Sequence, residues 1–163
     1  MNRMQFLRGR TDQFRPPWAI DESRFVELCS RCGDCQSACE ESIIEKGRGS
    51  FPVINFQKGE CIFCGDCVDQ CATGALQKQH FEASEQPWML TAVISEKCLS
   101  NKGVECRICG DRCTESAIRF RPQVGGKYTL EFDSDACSGC GACVAPCPVQ
   151  AVTIASTRLE DCA

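Results

Sequence analysis

Seventeen cysteines lie among 163 residues, and sixteen of them fall into four runs. The runs are Cys29, Cys32, Cys35, Cys39; Cys61, Cys64, Cys67, Cys71; Cys98, Cys106, Cys109, Cys113; and Cys137, Cys140, Cys143, Cys147. Three read C-x2-C-x2-C-x3-C, and the third is stretched to C-x7-C-x2-C-x3-C. Steps of three residues on a tight loop place three thiolates round one 4Fe-4S cube, while the fourth begins a helix and points to a neighbouring cube. One such run could arise by chance or serve zinc, but three identical runs and a near-copy point to iron and sulfide. Structural zinc usually takes two thiol pairs separated by a longer span. A disulfide scaffold is disfavoured by the odd seventeenth cysteine and by a reducing compartment.

The intervals suggest which runs exchange ligands. Between the last cysteine of one run and the first of the next lie 21, 26 and 23 residues. The middle interval is the longest and holds a polar stretch, residues 77–87, with the chain's one histidine, His80. Such a composition reads as a linker. Runs one and two are therefore expected to pair, as are runs three and four. Crossing of the fourth cysteine then gives Cys29, Cys32, Cys35 and Cys71 to cluster I and Cys61, Cys64, Cys67 and Cys39 to cluster II. Cluster III takes Cys98, Cys106, Cys109 and Cys147; cluster IV takes Cys137, Cys140, Cys143 and Cys113. A nested pairing, one with four and two with three, is the alternative. Cys162 fits no run and reads as an exposed free thiol.

Short elements must hold these loops. Residues 117–120 alternate in polarity and are followed by Pro122 and the pair Gly125 and Gly126, then by residues 128–132, which is the pattern of a hairpin. Residues 91–94 and 151–154 read as an outer strand pair. Residues 42–44 and 53–56 echo the hairpin more weakly, with Pro52 confining the second strand to an edge or a late start. Glycines at 33, 65 and 141 follow a second cysteine, where a turn round a cube needs positive φ and close backbone approach. Asp34 and Asp66 beside two of them are either local levers on cluster potential or solvated loop residues.

The expected fold is α+β: two tandem two-cluster domains of the bacterial ferredoxin-like kind, loop-rich, with short hairpins and short helices. The boundaries read as a basic N-terminal arm at 1–24, domain 1 at 25–80, a linker at 81–90, domain 2 at 91–157 and a tail at 158–163.

Composition supports a metal-stapled chain. Leu, Ile, Val and Phe number 34 of 163, about a fifth, which is at the edge of what folds unaided. The net charge is −4, divided between +3 on residues 1–18 and −7 on the rest. Four cubes with their thiolates would take the total to about −12, a field that favours a partner with a basic surface and disfavours nucleic acid. Behind the arginines no apolar stretch of the roughly 7–15 residues of an export leader is present. No run approaches the ~20 apolar residues of a membrane span. A cytoplasmic protein without a membrane span is expected. One histidine in a linker, with no phosphate-binding glycine loop or dinucleotide fingerprint, argues against an enzyme with its own small-molecule pocket.

With Arg15, Pro16, Pro17 and Trp18 ahead of the first cysteine, and with run three stretched, the chain resembles the NapF family over essentially its whole length. These are ferredoxin-type accessory proteins of the periplasmic nitrate reductase system. The resemblance implies four 4Fe-4S clusters, a cytoplasmic location and a protein client, the molybdenum-containing catalytic subunit before its export. The implied role is maturation of that subunit, by cluster loading or by reductive activation. The other function class is a general electron carrier delivering single electrons to a redox enzyme.

Overall fold

The computed structural model describes residues 13–78, 87–125 and 127–157. Most of Asp21's work is local: its side chain accepts from Arg24 N at 3.2 Å and so starts helix α1, Glu22–Leu28. Phe25 is that helix's buried residue. The helix ends where Cys29 turns extended, φ −68° and ψ 111°, so the first thiol of run one leaves the helix axis.

Each later helix is a single turn built on a cysteine run. Helix α2 is Asp34–Ser37, α3 is Asp66–Asp69 and α4 is Ile108–Asp111, with the third cysteine of runs one, two and three as the second residue in each. Gly33 and Gly65 precede α2 and α3 at φ 92° and 91°, whereas Arg107 precedes α4 at φ −129°. The stretched run thus enters its helix by a different path. Its extra residues fold into a 3-10 turn, Ser100–Lys102, and buried Ser100 donates its hydroxyl to the Tyr128 carbonyl at 3.3 Å.

Among the described residues, three two-stranded antiparallel sheets complete the fold. Strand β1, Ile44–Lys46, pairs with β2, Pro52–Ile54, and Pro52 begins its strand opposite Lys46. The Ile54 N–H, two residues on, points away from β1 to the Phe14 carbonyl, so the position of Pro52 also faces outward and its missing N–H leaves no ladder broken. Strand β3, Leu90–Ile94, pairs with β6, Val152–Ser156, closing the second half. Strand β4, Ile118–Gln123, forms a hairpin with β5, Lys127–Phe132.

Two segments outside the expected domains are built into the fold. Residues 13–20, part of the expected arm, lie on the first half: Phe14 bridges Ile54, Ala19 bridges Leu76, and Pro16 is fully buried. At the end of the expected linker, Trp18 N donates to the Pro87 carbonyl at 2.8 Å and Trp88 is only 9 % exposed. A tryptophan there brings enough apolar area to join the halves. One buried cluster runs through both, from Phe25, Ile44 and Phe56 to Trp88, Ile118 and Val152. Arg3, Arg8, Arg10, His80, residues 81–86 of the linker, the tail at 158–163 and Cys162 lie outside the described residues.

Candidate metal centres

The sixteen cysteines of the four runs are free thiols, and the backbone repeats at each. The N–H of every fourth cysteine closes a turn onto the residue three before it: Cys39 to Gln36, Cys71 to Val68, Cys113 to Gly110 and Cys147 to Val144. Three residues beyond each fourth cysteine the chain turns left-handed, at Ser42, Gly74, Ser116 and Gln150, with φ between 49° and 69°. The N–H there returns to that cysteine's carbonyl at 3.0–3.2 Å in all four. Only Gly74 announces the turn by its residue type, so the repeat of this turn was invisible in the sequence.

Three sets of four thiols surround cavities. Cys29, Cys32, Cys35 and Cys71 line one whose space, adjoining solvent included, is about 490 Å³. Cys39, Cys61, Cys64 and Cys67 line a second of about 390 Å³, with Trp18 and Ile43 in its wall. Cys113, Cys137, Cys140 and Cys143 line a third of about 330 Å³. In the stretched run, Cys98 and Cys106 are near enough to act electrostatically on Cys109. Cys147 accepts the N–H of Ala151 on its sulfur at 3.2 Å.

Burial and crowding resist ionising six of the thiols. Burial first, then the neighbouring Cys29, Cys32 and Cys71, pushes Cys35 up to about 11. Burial likewise takes Cys61, Cys67 and Cys143 to about 12 and Cys109 to about 11. A protein that gathers sulfurs in fours, most of them at least partly withdrawn from water, needs a cationic centre to stabilise the thiolates. Iron in a cube supplies it. Among the described residues no three His, Cys, Asp or Glu side chains converge as a single metal ion requires; a cube binds each thiolate at a separate iron and takes a wider set.

One buried hydroxyl fits the same chemistry. Ser138 Oγ is buried with no partner in full hydrogen-bonding geometry, and it borders the cavity of the Cys140 set. Burial pushes Cys140 up, while the Ala142 N–H and the Ser138 hydroxyl oppose that rise by favouring ionised sulfur. An orphaned donor beside sulfur suits a thiolate bound to metal. Asp34 is exposed and Asp66 half-buried.

Fold and thiols together define an iron–sulfur protein of the ferredoxin type, and residues 28–76 and 102–151 each match a 4Fe-4S dicluster domain. The chain is 42 % identical to the ferredoxin-type protein NapF of Escherichia coli K12, over 93 % of both chains. It is 43 % identical to NapF of Haemophilus influenzae, over 98 % of this chain and 96 % of that one. It belongs to the NapF family of ferredoxin-type proteins. The ferredoxin-type protein NapG of Haemophilus influenzae is more distant, 30 % identical over 86 % of this chain and 57 % of its own length. No helix among the described residues is long and apolar enough to cross a membrane.

Proposed function

We propose that the chain carries four 4Fe-4S clusters and acts in the cytoplasm on a protein client, the catalytic subunit of periplasmic nitrate reductase, maturing it before export by loading or reductively activating its cluster. The observation that carries this reading is the gathering of twelve of the sixteen thiols into three sets of four by a chain similar to NapF proteins over nearly its whole length. Cluster I falls to Cys29, Cys32, Cys35 and Cys71, and cluster II to Cys61, Cys64, Cys67 and Cys39. Cluster III falls to Cys98, Cys106, Cys109 and Cys147, and cluster IV to Cys137, Cys140, Cys143 and Cys113. The clusters, when bound, supply reversible one-electron chemistry. The chain's own residues shield most of the thiolates from water, end each run on a left-handed turn and set the charge around sulfur.

Binding to the client in its cluster-free and finished forms tests the role. A maturation factor binds the cluster-free form more than tenfold tighter, about 1.4 kcal/mol. Equal affinity for the two forms supports the general electron carrier instead, and binding to neither removes this client.

A further inference from the structure

Trp88 touches the cysteine loops of both halves. Its ring lies edge-on to Phe63, between Cys61 and Cys64, with centroids 5.5 Å apart. Its indole Nε1 donates to the carbonyl of Ser138, between Cys137 and Cys140, at 2.9 Å. Beside it the Cys61 N–H donates to the Cys140 carbonyl at 2.8 Å, so the two loops share a main-chain hydrogen bond. Phe56 of the first half packs on Trp88 at 5.8 Å and fills the space where a side chain on Gly141 would stand. Further out, Arg112 and Glu60 approach to 3.9 Å across the same boundary.

We propose that Trp88 is a positioning residue that clamps the second cysteine loop against the fourth, making the thiol sets of Cys61 and Cys140 neighbours through which single electrons pass between the halves. This rests on the four-cluster reading above. The thiols then form one row. Cys35 lies close enough to act on Cys67, Cys140 on Cys61, and Cys109 on Cys143. The order is therefore the set of Cys29, that of Cys61, that of Cys140 and that of Cys98, which the order of the runs along the chain does not give. An electron crossing between the inner sets oxidises one by one electron and reduces the other by one, with no bond broken and no proton moved.

Electron paramagnetic resonance of the fully loaded, chemically reduced chain tests the clamp. Iron and sulfide are counted on every sample, and a count short of four cubes in the wild type overturns the four-cluster reading rather than the clamp. The first-half signals should sharpen in Cys140→Ser, because a paramagnetic neighbour is lost. Trp88→Ala should keep its iron and lose the interaction between halves while the interaction within each half persists. First-half signals that are the same with and without Cys140, or a Trp88→Ala chain with full iron and unaltered broadening, overturn the proposal. Should Trp88→Ala shed iron, Trp88→Phe takes its place: it retains one aromatic ring and removes the indole's second ring with its N–H to Ser138. Weakened broadening in Trp88→Phe supports the clamp, and unaltered broadening overturns it.

Discussion

Arg15 grips Glu22 with two hydrogen bonds, Nη2 to Oε1 at 2.6 Å and Nε to Oε2 at 2.9 Å. Its guanidinium also lies over the rings of Phe25 and Phe51, at 4.9 and 5.1 Å from their centroids. Arg15 is thereby tied to the half that holds Cys29. An exposed ion pair contributes up to about 1 kcal/mol and each ring contact roughly 0.5–1 kcal/mol. Deleting residues 1–12 should leave the iron content unchanged, whereas deleting 1–18 removes Arg15, buried Pro16 and Trp18 and should lower it. Iron assays of the two truncations check this; equal, full iron in both would make the segment a handle for a partner only.

Cys71 lines the same cavity as Cys29, Cys32 and Cys35, and Cys39 lines that of Cys61, Cys64 and Cys67. Cys71→Ser should therefore damage the cluster of run one, and Cys39→Ser that of run two. The apolar content is too low to hold an apo half, and metal binding is folding free energy here, so the affected half should also lose its protease resistance. Mössbauer spectra with limited proteolysis distinguish this from an uncrossed arrangement, in which Cys71→Ser harms only the site of Cys61.

Gly141 combines φ 82° with a position where a Cβ would overlap the Phe56 ring. Gly141→Val needs a left-handed β-branched residue and a displaced ring, for about 1–3 kcal/mol each. An anaerobic melt of the loaded protein should drop by several degrees or more, whereas Gly103→Ala, with open space at its Cβ, should be milder. A melt unchanged in Gly141→Val would mean that the halves do not pack through Phe56.

Ser138→Ala removes the hydroxyl beside Cys140. A hydroxyl free to donate to a metal-bound thiolate favours the reduced, more negative cluster, so its loss should lower one midpoint potential by about 20–60 mV, the one-electron equivalent of roughly 0.5–1.5 kcal/mol. A redox titration reads it, and a potential that rises or stays put contradicts the assigned role of the hydroxyl.

The chemistry was legible because cysteine spacing is a covalent ruler: steps of three residues state the loop directly. The second-half hairpin was legible through alternation, as in Ile118 and Phe120 against Leu130 and Phe132, which face one another in the register. The joint between halves was not. Trp88 sits just past a polar stretch, and nothing local tells a linker tryptophan from one that packs on Phe56 and Phe63. Nor could residue type reveal the left-handed turns at Ser42, Ser116 and Gln150, where the loop imposes a conformation that side chains ordinarily avoid. Trp18 fell within the expected arm because its partners, Phe63 and Lys78, lie more than forty residues away along the chain.

Iron and acid-labile sulfide per chain, counted in anaerobically prepared protein, bear most directly on the claim that four crossed thiol sets each hold a cube. About sixteen of each per chain is the expected result, from four 4Fe-4S cubes on sixteen thiols. About eight of each, or a stable folded chain carrying zinc in place of iron, would contradict it.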